Sequence, residues 1–179
     1  MEERLENYLS IVLCGEAGQD KIDILIPFSR DAIFHVENRI SPKTLILAER
    51  KNIEDEYRTK YKIWEVPFSQ IATEVGSKLY TNTVAVGTIA GLFQVEPALI
   101  EGYLNQLFVA KGKEIIQKNI EAAKKGYTIG EALLREEGIE FNIQPNPETK
   151  EEILLNGTEA VALGTIVGGC FPCQICARV

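Results

Sequence analysis

Hydrophobic residues in the first third of the chain fall in short runs, and a glycine or proline follows most of them. Short apolar runs bounded by turn residues are typical of buried β-strands. A short helix at 29–36 is predicted after the second run, and the charged stretch 49–60 is interpreted as a connection. The strands themselves are predicted at 9–14, 22–26, 44–47 and 61–66.

From residue 68 onward the apolar residues recur every three or four positions, which is the spacing of a helix that buries one face. Gly126 is expected to act as the C-cap of the last of four predicted helices, which lie at 68–76, 82–92, 97–108 and 112–125. Strands followed by helices in this order predict an α/β fold. We expect a Rossmann-like arrangement of three layers, in which helices flank a mostly parallel sheet.

Composition and charge exclude several classes of protein. The 179 residues include 19 Lys and Arg against 26 Asp and Glu, which gives a net charge of −7. This acidity argues against a nucleic-acid or membrane-surface binder, because both ligands require basic patches. The apolar runs are far shorter than the roughly 20 residues of a membrane span, and four cysteines are few for a disulfide scaffold. We therefore expect a cytoplasmic protein that binds neither nucleic acid nor membranes.

A glycine-containing loop, with Gly15, Gly18 and Gln19, follows the first predicted strand. Backbone amides in such a loop can hold a phosphate when a helix begins directly after it. Here Asp20 and the second apolar run follow instead, so a plain turn at the strand end is the main interpretation. A small nucleotide- or anion-binding α/β module that uses these three residues remains the alternative.

Three cysteines near the end of the sequence, Cys170, Cys173 and Cys176, have a spacing at which thiolates can bind a soft metal or part of an iron–sulfur cluster. A fourth thiolate is missing nearby, because Cys14 lies at the other end of the sequence. A metal site is therefore disfavoured, and a metal-binding C-terminal protein is kept as an alternative. His35 has no neighbouring nucleophile motif, so the sequence predicts no catalytic constellation.

Five segments occur in an order that is known from one enzyme family: 20–26, 41–47, 66–72, 82–87 and 111–127. Together they resemble the gamma subunit of 2-oxoacid:ferredoxin (or acceptor) oxidoreductases. The last segment resembles a family helix that carries a Lys-Gly-Glu pair, an Asn three to five residues on and a closing Gly-Tyr. Residues 15–19 resemble the start of the family's Gly-Gly-Gln-Gly loop, which makes Gly15, Gly18 and Gln19 the candidate cofactor-binding residues.

The chain also departs from the family's pattern, and the departures set its expected domains. The family has several tens of residues between the glycine loop and the next strand, so the gamma-like domain, 1–126, is expected to lack an internal segment after Gln19 and to be incomplete. A linker is expected at 127–153. Residues 154–179 resemble the opening of the alpha subunit, which some members fuse behind the gamma domain. Since the family's Tyr-Pro-x-(Thr/Ser)-Pro motif does not follow, a truncated or frame-shifted product is expected.

The resemblance implies one component of a complex that converts a 2-oxoacid to acyl-CoA by oxidative decarboxylation, in pyruvate or 2-oxoglutarate metabolism. Sister alpha and beta subunits are the implied partners, with ferredoxin or another acceptor reached through the complex. Thiamine diphosphate, coenzyme A and iron–sulfur clusters are implied for that complex, and none is expected to bind this chain alone. We expect this chain to be mainly scaffold and interface, through the helices at 82–92 and 97–108, and to be inactive alone. A homo-oligomer is left open.

Overall fold

The computed structural model describes residues 10–13 and 21–137, together with single helical positions at 161, 163, 164 and 167. The chain forms two compact units, Met1–Asn142 and Ile143–Val179. Nearly all of the described residues belong to the first unit, so the fold given below is the fold of that unit.

A four-stranded sheet forms the centre of the first unit, with its strands in sequence order. The second and third strands, and the third and fourth, pair in parallel, whereas the first pairs antiparallel with the second. The sheet is thus mostly parallel, as the sequence predicts. The strands are β1 (Ser10–Leu13), β2 (Ile24–Pro27), β3 (Leu45–Ala48) and β4 (Lys62–Glu65).

Six α-helices accompany this sheet in the described part of the chain. They are α1 (Ala32–His35), α2 (Asp55–Lys60), α3 (Phe68–Val75), α4 (Thr81–Leu92), α5 (Pro97–Leu107) and α6 (Lys113–Glu137). Short 3₁₀ turns lie at Arg50–Asn52, Lys78–Tyr80 and Val109–Lys111. None of the helices described here has the length and apolar character needed to cross a bilayer.

The interpretation of 49–60 as a connection is wrong, because this stretch contains α2. Its first turn carries Asp55 and Glu56, and its last turn carries Arg58 and Lys60. Negative charges at the N-terminus and positive charges at the C-terminus interact favourably with the helix dipole and stabilise α2. Glu56 and Lys60 also pair at 3.7 Å across one turn. Tyr57 is the buried residue of this helix, and a single core contact leaves little hydrophobic periodicity to detect.

Alternate residues of the strands face opposite sides of the sheet and build two separate apolar cores. On one side, Leu25 and Ile46 pack with Ile33 of α1 and Tyr57 of α2. The other side packs against α3, α4 and α6, through Ile24, Ile26, Leu45, Leu47, Trp64, Phe68, Val84 and Ala122. Helices therefore cover both faces, which confirms the three-layer α/β prediction.

The helix end that the sequence predicts at Gly126 is also wrong, because α6 continues through this residue to Glu137. Gly126 lies against α4, where its missing side chain lets the two backbones meet. The same holds for Gly130, whose added Cβ would lie 2.1 Å from the Thr88 carbonyl oxygen. A glycine that looks like a helix stop in the sequence thus serves close helix packing here. The first part of the stretch predicted as a linker is helical, while the domain boundaries remain predictions.

Candidate functional site

The predicted loop residues Gly15, Gly18 and Gln19 lie outside the described residues, but the strands on either side of them are described. Leu13, at the end of β1, pairs with Ile24, at the start of β2. The connection therefore leaves the sheet at the amino ends of the parallel strands. Ligands of open α/β sheets bind at the carboxyl ends, next to a helix N-terminus. This position gives no support to the anion-binding alternative.

The predicted cysteine cluster, Cys170, Cys173 and Cys176, likewise lies outside the described residues, as does Cys14. Among the residues that are described, there is no group of three His, Cys, Asp or Glu side chains that could hold a metal ion. His35 is exposed at the last position of α1, with its ring 5.8 Å from that of Phe34. The metal-binding alternative for the three cysteines therefore stays a prediction.

Polar side chains meet at the carboxyl edge of the parallel strands, where the sequence predicts no functional site. Glu49 follows β3 and is 7% exposed. Its carboxylate accepts hydrogen bonds from the backbone N–H of Ser69, in the first turn of α3, and pairs with the Lys51 ammonium group. Lys51 Nζ also donates to Ser69 Oγ at 3.1 Å. Glu49 thus acts as a distant N-terminal cap for α3.

Two opposing effects set the pKa of Glu49. Burial raises this pKa, but the hydrogen bonds from Lys51 and from the side chain and backbone of Ser69 outweigh burial, and the pKa is lowered from its ordinary value. The group is therefore a carboxylate at neutral pH. Because this charge already satisfies the Ser69 N–H, the N-terminus of α3 is capped by the chain itself in the described structure.

The family-like segment 111–127 has a packing role in this structure. Asn119, on α6, is buried, and its Oδ1 accepts a hydrogen bond of 2.8 Å from Thr83 Oγ1 on α4. Its Nδ2 donates to the Ile115 carbonyl oxygen, also at 2.8 Å. The Gly126-Tyr127 pair continues the same seam, since a Cβ at Gly91 would lie 2.2 Å from the Tyr127 carbonyl oxygen. These motif residues attach α6 to α4.

The helix at 82–92, expected to be an interface with other subunits, is largely buried within the first unit. Its small residues Ala85, Gly87, Ala90 and Gly91 are buried, and α4 contacts the sheet and α6. An interface role for α4 stays a prediction, while the close backbone approach predicted from its small residues is confirmed. The paired glycines of α6 were missed, and the signal for them was their four-residue spacing, which matches the spacing on α4.

The second expected interface helix, α5, presents an apolar stripe to solvent. Leu99, Tyr103 and Leu107 are 65%, 62% and 54% exposed, and their four-residue spacing places them on one side of the helix. The adjoining side of the helix is anchored, because Leu104 is buried with Ile116, Ile120 and Ala123 of α6. A rigid support under an exposed apolar stripe is typical of a protein contact surface.

A cleft of about 340 Å³ lies between α5 and α6. Its polar rim includes Glu101 and Lys124, which form an ion pair at 2.8 Å. Burial, with a further contribution from the charge of Glu131, raises the pKa of Tyr127, so its hydroxyl is protonated at neutral pH. The cleft is otherwise lined by Pro97, Ile100, Ile120, Ala123 and Thr128. With Glu101 and Lys124 paired, the cleft presents a mainly apolar surface.

Comparisons with known proteins give these features a family. The model of the pyruvate ferredoxin/flavodoxin oxidoreductase family matches residues 11–129, which is more than half of the chain. The chain belongs to this family. The match begins in β1 and ends in α6, so it covers the sheet, both apolar cores and the α4–α6 seam of this oxidoreductase domain.

A solved structure supports the same assignment. The 2-oxoglutarate:ferredoxin oxidoreductase from Magnetococcus marinus, determined with 2-oxoglutarate, coenzyme A and succinyl-CoA bound, is 28% identical, with a TM-score of 0.70. The match covers 89% of this chain and 27% of that chain, so the present sequence spans about a quarter of its length. The search of curated proteins finds no match. The gamma-type resemblance seen in the sequence is thereby confirmed.

Proposed function

We propose that this chain is the gamma-type component of a thiamine-diphosphate-dependent 2-oxoacid:ferredoxin or acceptor oxidoreductase, and that it serves as scaffold and subunit interface. The observation that carries this proposal is the family match over residues 11–129. Two polar contacts within that match, the Glu49 cap and the Asn119–Thr83 bond, both join secondary-structure elements. The catalytic groups would then come from elsewhere in the complex.

The proposed reaction removes CO₂ from a 2-oxoacid, transfers the acyl group to coenzyme A and passes two electrons to ferredoxin or another acceptor. Thiamine diphosphate supplies carbanion stabilisation, and iron–sulfur clusters carry the electrons. Residues 21–137 contain no cysteine, so this range has no thiolate ligand for a cluster. Since these residues do not fit a cluster, we propose that the cofactors bind to the sister alpha and beta subunits.

The substrate class is proposed from the similar structure. That enzyme from Magnetococcus marinus was determined with 2-oxoglutarate, coenzyme A and succinyl-CoA bound. By analogy, a small 2-oxoacid is the substrate of the complex to which this chain belongs, and coenzyme A is its acyl acceptor. The cytoplasm, where these cofactors and oxidised ferredoxin as electron acceptor are available, is the proposed location.

The residues after the gamma-like domain are proposed to begin an alpha-type domain, with 154–179 as its opening. The structural match supports this proposal, because it covers 89% of the chain and therefore extends beyond residues 11–129. The matched chain is also much longer than this sequence. Reading the source DNA in all frames past the codon for Val179 tests the proposal. A continuing alpha-type sequence in any frame supports it, and an unrelated sequence in every frame contradicts it.

Co-expression tests the assignment of this chain as a component. The chain is produced with the alpha and beta subunits encoded in its source genome, and the masses of the complexes are measured by native mass spectrometry. A stoichiometric complex that contains this chain is expected. Recovery of a complete complex of the other subunits, with this chain left free, would contradict the assignment.

A further inference from the structure

The exposed face of α5 is unusual in a chain of which a quarter of the residues are charged. Between Glu96 and Lys111, the sequence contains one charged residue, Glu101. That carboxylate lies at the cleft rim and pairs with Lys124 of α6 at 2.8 Å. The stripe of Leu99, Tyr103 and Leu107, which we call the α5 stripe, is therefore free of charge along its whole length.

α5 contains a glycine beside this stripe, and none of the described contacts within the chain requires a glycine there. Gly102 lies in the middle of the helix, where glycine costs stability relative to alanine. At Gly87, Gly91 and Gly126 an added Cβ would meet a backbone carbonyl oxygen within 2.2 Å, whereas at Gly102 it meets nothing within 4 Å. The buried helical glycines of the described chain lie where two backbones approach closely, whereas Gly102 is exposed. Gly102 offers the same approach to a backbone from outside.

The charges at the two ends of the stripe have opposite sign. Glu96 precedes α5 and Lys111 follows it, and both are exposed. Glu96 lies seven residues before Tyr103 and Lys111 lies eight residues after it, just beyond the two ends of α5. Leu99 and Leu107 are likewise four residues before and after Tyr103. The surface is therefore self-complementary. A two-fold rotation about an axis beside Tyr103 places the leucines of one copy against those of the other, and the acidic end of each copy against the basic end of its partner.

We propose that the α5 stripe is a contact between two copies of this chain, in which the two α5 helices pack antiparallel about a two-fold axis beside Tyr103. Leu99 of one copy then meets Leu107 of the other, and Glu96 meets Lys111, so each contact occurs twice. Gly102 lets the helices approach closely. A contact built on one helix of 11 residues is smaller than a standard interface of about 800 Å² per partner, so the dimer is weak.

Sedimentation velocity of the full chain tests this proposal, over about 5 to 500 µM, the range in which a small interface associates. The buffer is reducing, because the chain has four cysteines. A reversible monomer–dimer equilibrium is expected. Leu107→Ser removes two leucines from the contact and weakens dimerisation at least about tenfold. Leu79→Ser, at an exposed leucine outside the stripe, is the matched control and leaves the dimer constant unchanged.

Charge reversal tests the two-fold pairing directly. Glu96→Lys or Lys111→Glu alone places like charges together at two symmetric points and weakens the dimer about three- to tenfold. The double variant restores opposite charges at both points and recovers the dimer. Gly102→Gln fills the space between the helices and abolishes association, while circular dichroism shows an unchanged helix content.

The proposal would be overturned by a monomer at every concentration, by a dimer insensitive to Leu107→Ser, or by a double charge variant that stays as weak as the single ones. Association of the stripe with an alpha or beta subunit in place of a second copy would also overturn it. The proposal does not depend on the proposed function, since a chain without 2-oxoacid chemistry could still dimerise in this way.

Discussion

Gly126 of α6 lies directly on the backbone carbonyl group of Val84 in α4. A Cβ built on Gly126 would be 2.0 Å from the Val84 carbonyl oxygen, closer than any real Cβ approaches an oxygen atom. The contact is backbone on backbone, so a side chain cannot rotate to make room. The separation of α4 and α6, and with it the support of α5, therefore depends on glycine at this position.

Replacing this glycine is expected to separate the two helices. Gly126→Ala should lower the free energy of unfolding by about 3 kcal/mol, because the added methyl group forces α6 away from α4. Urea unfolding followed by circular dichroism, at a low micromolar concentration, measures the change. Gly102→Ala is the matched control: it also adds one methyl group in a helix, but in open space, and should raise stability by up to about 1 kcal/mol. Changes of the same sign in both variants would contradict the close-contact role of Gly126.

The buried carboxylate of Glu49 is expected to make stability depend on pH. Its folded-state pKa lies below the ordinary value of 4.5, so its charge stabilises the fold above pH 4.5. That contribution is lost as the pH falls from 4.5 through the folded-state pKa. Glu49→Gln keeps an acceptor for the Ser69 N–H but loses the charge, and should cost about 1–2 kcal/mol at pH 7.

The comparison is made by measuring urea unfolding of both proteins between pH 7 and about pH 3, a range that spans the titration of a carboxyl group. The stability gap between wild type and Glu49→Gln should narrow as the solution becomes acidic. A gap that stays constant over the whole range would show that the charge of Glu49 does not stabilise α3.

The hydrogen bond between Thr83 and Asn119 is expected to couple α4 to α6. Asn119→Ala removes the acceptor of the Thr83 hydroxyl group at a site that is 3% exposed, and should cost about 2 kcal/mol. Thr83→Val should cost less, because Asn119 keeps its bond to the Ile115 carbonyl oxygen. In a double-mutant cycle the two changes should be non-additive by about 1 kcal/mol. Strictly additive costs would show that this hydrogen bond contributes nothing to the seam.

Most of the sheet could be predicted from the sequence, since each strand is a short apolar run that ends in a turn. The wrong predictions concern residues whose structure is determined by tertiary contacts and not by the local sequence. Gly126 obeys the rule for a helix C-cap, yet it is an interior residue, because the carbonyl group of Val84 occupies the place of a side chain. The helix α2 was missed for the opposite reason: its one buried residue, Tyr57, gives almost no periodicity.

The candidate site was only partly predictable. The apolar spacing of Leu99, Tyr103 and Leu107 is visible in the sequence, but which side of α5 is buried depends on the residues of α6 beneath it. The same limit applies to Glu49, which in the sequence is one of many charged residues between positions 49 and 60. Its role arises because β3 and α3 bring it to Ser69, twenty residues away in the sequence. Contacts of this kind are properties of the topology.

The central claim is that this chain supports the chemistry of an oxidoreductase complex without performing it. The most direct test is 2-oxoacid- and CoA-dependent reduction of ferredoxin, with thiamine diphosphate present, by the purified chain alone and after addition of the sister subunits. We predict no turnover by the chain alone, and turnover by the complete complex that falls when this chain is omitted. Turnover by the chain alone, or full activity of the other subunits without it, would contradict the claim.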